Sequence, residues 1–92
     1  MLLSDIKSGM VLEVLQDWGV ERYIVCEISG KLMAFNDKRT LGEVDYFFRL
    51  DLSPIEKCVE LLKVMVITDT EWDVFTAINN DKLNAIKVVW SK

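Results

Sequence analysis

Trp18 stands beside Gly19 in a turn, and Arg22 and Tyr23 follow on the strand that leaves it. An indole at the surface next to a guanidinium forms a stacking platform for a base or for a partner's side chain. Lys38 and Arg39 lie in the polar loop Asn36-Asp37-Lys38-Arg39 further along the chain. If that loop opens at the Trp18 end of the fold, three cations and one indole converge, which suits a phosphate and a base. The sequence leaves open which end the loop takes. Trp18, Arg22, Tyr23, Lys38 and Arg39 are therefore the candidate ligand-binding residues, and a small anionic nucleotide is the ligand they suggest. The plainer readings are a Trp18 that lids the core and a Lys38-Arg39 pair that is a solvated loop tip.

Other chemistry has little to stand on. There is no histidine among the 92 residues. That removes imidazole general bases, Ser-His-Asp and Cys-His arrangements and most zinc sites. Asp69, Glu71 and Asp73 cluster where a helix start would place them for its dipole, so they read as capping residues rather than metal ligands. Glu43 and Asp45 flank an aromatic run and read as a solvated edge. The four glycines fall at separate turns, not in a phosphate-cradling loop. Cys26 and Cys58 sit in apolar surroundings and are expected as buried, reduced thiols. No enzyme activity, cofactor or metal is expected.

Composition bounds the rest. The length fits a single domain, residues 1–92. Apolar residues make up 51% of the chain, more than one small core easily absorbs, so self-association is expected. Fifteen acidic against eleven basic side chains give a net charge of −4, and no basic stripe exists to track an extended nucleic acid. No apolar run approaches the length of a membrane span. The first residues meet charge too soon for a signal peptide, so a cytoplasmic protein is expected.

The elements that must position these residues are mostly strands. Met10–Gln16 reads as the first and Glu21–Ile28 as the second, with Ile24, Cys26 and Ile28 as its inward set, beyond Arg22. Ser29-Gly30 forms a tight hairpin turn into a third strand, Lys31–Phe35. Residues 40–52 are too apolar for a free loop and too irregular for a clean period, so they read as a packed arm. Ser53-Pro54-Ile55-Glu56 predicts a helix start, with Ile55, Cys58, Val59 and Leu62 as its apolar stripe. Lys63–Thr68 turns to strand and is expected at the centre of the sheet. Residues 70–78 fit either a second helix or an alternating strand. Ala85–Trp90 closes the chain as a strand. About five short strands with little helix predict a mainly β, α+β fold, a small SH3-like barrel with one or two short helices; an open α+β sheet is the alternative.

Several segments together resemble a group of short prophage proteins of Gram-positive hosts. The shared pieces are Ile6-Lys7-Ser8-Gly9-Met10-Val11-Leu12-Glu13-Val14, then Tyr46 ahead of Asp51-Leu52, then Leu61-Leu62-Lys63-Val64, and the ending Val88-Val89-Trp90-Ser91-Lys92. The resemblance spans nearly the whole chain, departs at Ser53–Leu62 and between Ile67 and Ala85, and brings no catalytic motif. It implies an SH3-like barrel of phage origin. By analogy with small phage proteins of this size, it suggests a non-enzymatic protein that sequesters a nucleotide signal of host defence. The alternative is an interaction module that inhibits a host defence protein through an acidic and aromatic face.

Overall fold

A computed structural model describes residues 1–56, 58–68 and 86–92. Among these residues six strands dominate: β1 (Met10–Gln16), β2 (Gly19–Ile28), β3 (Lys31–Phe35), β4 (Thr40–Glu43), β5 (Glu60–Ile67) and β6 (Ile86–Ser91). One helical turn, α1 (Val44–Phe47), links β4 to the segment before β5, and a 3-10 turn covers Leu3–Asp5. The strands form one antiparallel sheet in the order β4-β3-β2-β1-β5-β6. The fold is mainly β with little helix, as the valine- and isoleucine-rich segments predict.

The first three strands form as expected. Ser29 and Gly30 both take positive φ, +53° and +79°, so the two-residue turn matches the right-handed twist of β2 and β3. At the β1–β2 turn Gln16 pairs with Gly19 and the loop is Asp17-Trp18, with Gly19 taking the positive φ of +119° just after it.

Three expectations are corrected. The inward face of β2 is the one carrying Tyr23 and Val25, which are 0% and 1% exposed. Ile6, Val44, Phe48, Leu52 and Val59, from segments outside the strands, join the main core on that side of the sheet. On the other face Ile24 joins Val11 and Met65 in a smaller cluster, and Ile28 is exposed. The helix expected from Ser53 does not form. Glu60 and Leu61 already pair with Leu15 and Val14 of β1, Ser53 donates its hydroxyl to Asp51 Oδ1, and Pro54 bridges Phe48. Ile55 and Cys58 are exposed, so the predicted stripe buries only Val59 fully, and Cys58 is not a buried thiol. Third, among the described strands β5 lies one from the edge while β2 and β1 take the centre. The helix-or-strand alternative at 70–78 and the start of the closing strand at Ala85 fall outside the described residues.

The arm resolves into β4, α1 and a turn. Its Gly42 has φ +128°, and a Cβ there would lie 3.0 Å from Phe47 Cε2. Gly42→Ala is expected to lower stability by about 1–2 kcal/mol through the left-handed backbone alone, with the ring contact adding to it. A lower urea midpoint at unchanged slope would show this.

Candidate binding surface at the Trp18 end

In an antiparallel meander alternate connections return to the same end of the sheet. The Asp17-Trp18 turn and the 36–39 loop therefore share an end, as the pairings Gln16 with Gly19 and Phe35 with Thr40 show. There the Arg39 guanidinium lies over the Trp18 ring, its Cζ 4.8 Å from the centroid. Such a contact at an exposed site contributes about 0.5–1 kcal/mol. Trp18 is 57% exposed, so it is a surface side chain and not a lid on the core.

Glu21 organises the pair. Trp18 donates its indole N–H to Glu21 Oε1, and Arg39 Nη2 lies 3.3 Å from the same oxygen. The second oxygen, Oε2, accepts from Asn36 Nδ2 at 3.0 Å. Asn36 in turn builds the loop. Its Oδ1 accepts from the backbone N–H groups of Lys38 and Arg39, both at 2.9 Å, and its Nδ2 also donates to Arg22 O at 3.1 Å. Asparagine suits this role because its short amide can bond to backbone just ahead of it while reaching across to a strand. The indole and the guanidinium are thus held in place by contacts within the chain.

Two of the predicted residues lie elsewhere. Arg22 points to the opposite face of β2, where its Nε donates to Glu13 Oε1 at 3.4 Å; Lys63 Nζ approaches the other Glu13 oxygen at 3.9 Å. The three form a cross-strand row of alternating charge over β2, β1 and β5. Tyr23 is in the core, and its hydroxyl donates to Gln16 Oε1 at 2.7 Å. The structure therefore brings together Trp18 and Arg39, with Lys38 next to them in the loop. It adds Glu21 and Asn36, which the sequence reading did not single out. Strand alternation does place Glu21 on the Tyr23 face beside the turn, and that signal was available.

Burial pushes the Tyr23 hydroxyl above the ordinary tyrosine range, and the Glu21 charge adds to this while the Gln16 bond and Arg39 oppose it. A raised folded pKa contributes stability that is complete below the unfolded value of 10.0 and is lost as pH climbs through the folded value. Alkaline titration should therefore weaken the fold above pH 10.0, and Tyr23→Phe should blunt that loss. At neutral pH the same variant leaves a buried Gln16 without its donor and should cost about 1–3 kcal/mol in urea unfolding.

No group of three or more His, Cys, Asp or Glu side chains suited to a metal exists among the described residues. No protein-family model matches the chain, and no curated protein or solved structure matches it either.

Proposed function

We propose that the protein is a non-enzymatic interaction module that docks a protein partner through the Trp18 end of the sheet. The observation that carries this is the preset anchor: an indole 57% exposed, with Arg39 against its ring and Glu21 on its N–H. Tryptophan and arginine are the side chains that most often dominate protein contacts, and fixing them beforehand removes part of the ordering cost of binding. Leu15 and Val20, paired across the same hairpin, are 39% and 53% exposed and extend the apolar surface. Charge favours a protein over a nucleotide. Asp17, Glu21 and Asp37 outnumber Lys38 and Arg39 at this end, so an anionic ligand meets a negative balance. The partner class is a host defence protein, if the prophage resemblance reflects common origin.

One observation supports nucleotide capture as a second reading. Among the described residues Lys38 makes no ion pair, and it adjoins in sequence the Arg39 that lies over the exposed indole. The two readings separate in paired assays. Immobilised wild-type protein is exposed to extract of its native cell beside Trp18→Ala and Glu27→Ala, the last a strand residue of the far end. The interaction reading expects a partner retained by wild type and Glu27→Ala and lost with Trp18→Ala. A thermal-shift screen against mono-, di- and cyclic nucleotides should then stay flat. A shift that Arg39→Ala abolishes, with no Trp18-dependent partner, would establish the nucleotide reading instead.

A further inference from the structure

We propose that the same partner inserts a basic side chain into a second socket, the cavity between the 51–54 turn, the start of β5 and the end of β6. This rests on the interaction reading above and names the chemistry of the partner segment. The cavity has a volume of about 200 Å³. Leu52, Pro54, Leu61 and Trp90 form its apolar walls, and Asp51, Glu60 and Lys92 complete its lining.

Charge selects the occupant. The lining carries two carboxylates against one ammonium; Lys92 Nζ pairs with Glu60, which leaves the Asp51 carboxylate as the uncompensated charge of the lining. The Lys92 backbone N–H also donates to Leu62 O at 2.9 Å, which holds Lys92 against β5. Asp51 accepts from the Ser53 hydroxyl and from the Ser53 N–H, and these bonds hold its carboxyl below the usual range; Arg49 contributes a smaller share. An indole wall beside an ionised carboxylate accommodates the aliphatic stem and the cationic head of arginine together.

The backbone of the socket is also unusual. Leu52 has φ +70°, a left-handed conformation that a leucine rarely takes, while its side chain is 2% exposed. The turn is closed by Arg49 N–H to Ser53 O at 2.8 Å and by Leu52 N–H to Arg49 O at 2.9 Å. Strain of this kind persists where the surroundings over-determine it, and here it fixes one wall and the Asp51 rim. Leu15 pairs with Glu60 as Gln16 pairs with Gly19, so the socket opens at the same end of the sheet as Trp18. Neighbouring strands lie about 4.8 Å apart, which lets one short segment reach both.

The probe is N-acetyl-arginine amide, followed at the Trp90 indole N–H in a nitrogen–proton correlation spectrum of the full chain. N-acetyl-norleucine amide serves as the uncharged comparison. The arginine probe should shift the Trp90 resonance saturably in the millimolar range, and norleucine should bind about two- to fivefold more weakly, the contribution of one partly exposed ion pair. Added salt should remove that difference, and Asp51→Asn should lower arginine to the norleucine level. Glu60→Gln, which leaves the Lys92 ammonium unpaired in the lining, should also lower arginine to the norleucine level and serves if the first variant fails to fold. Equal binding of the two probes, or no saturable shift of Trp90, overturns the socket. If that happens while Trp18-dependent capture persists, the interaction reading stands without it. A Trp90 response that survives in Trp18→Ala supports the socket even where capture fails.

Discussion

Trp18→Ala should weaken the complex with the captured partner by about 30-fold or more, the scale of a central aromatic anchor. The folded chain should hardly notice. The side chain is 57% exposed, and its loss removes one exposed cation–π contact worth about 0.5–1 kcal/mol and an exposed hydrogen bond to Glu21 that water can replace. Calorimetric titration against the partner, set beside a urea curve of the free variant, separates the two quantities. Most of the loss should fall in the dissociation rate, since the substitution removes short-range contact and leaves the charge at this end unchanged. Glu21→Ala should behave differently. It releases the indole N–H and the Arg39 guanidinium together and leaves Asn36 Nδ2 with only the Arg22 carbonyl. Its effect on affinity comes through lost preordering and should be smaller than removal of the ring.

The largest stability effect should come from the arm. Phe48 is 1% exposed in the main core, its N–H bonds to Val44 O at 3.2 Å, and it bridges Pro54. Phe48→Ala should cost about 3–5 kcal/mol, from lost burial and the cavity left behind. A domain of this size has about 5–15 kcal/mol in all, so the variant should unfold at much lower urea or fail to fold at room temperature. Tyr46, two residues earlier and 69% exposed, supplies the contrast: Tyr46→Ala should fall within about 0.5 kcal/mol of wild type. A Phe48 variant as stable as the Tyr46 variant would mean that the arm does not form part of the core.

These two residues show how far the sequence could be read. Strand spans 10–16 and 31–35 and the Ser29-Gly30 turn were legible because period, β-branched content and turn chemistry agree there. The inward face of β2 was not. Both faces of a central strand are covered, and a comparison of side-chain hydropathy favours Ile24, Cys26 and Ile28 over Glu21, Tyr23, Val25 and Glu27. The larger core formed on the Tyr23 side because Ile6, Val44, Phe48, Leu52 and Val59 gather there. No local pattern reports where such non-strand segments go. At 53–56 the local signals agreed with one another and were still overridden. A capping box and a proline at the first position suit a helix, yet pairing of Glu60 and Leu61 with β1 leaves too few residues to offset helix nucleation. Of the candidate site, the end taken by the 36–39 loop was left open in the sequence, and the structure sets it beside the Trp18 turn; meander parity was the signal that could have fixed it. Arg22 was misplaced as a ligand: strand alternation turns it away from Glu21 and onto Glu13.

The most direct measurement is hydrogen–deuterium exchange of the full chain, free and bound to the partner it captures. Protection should appear in the Asp17-Trp18 turn and across residues 36–39, while the Ser29-Gly30 turn at the far end exchanges as before. Protection confined to the Ser29-Gly30 end, with the Trp18 turn and the 36–39 loop unchanged, would contradict the assignment of this end as the contact surface.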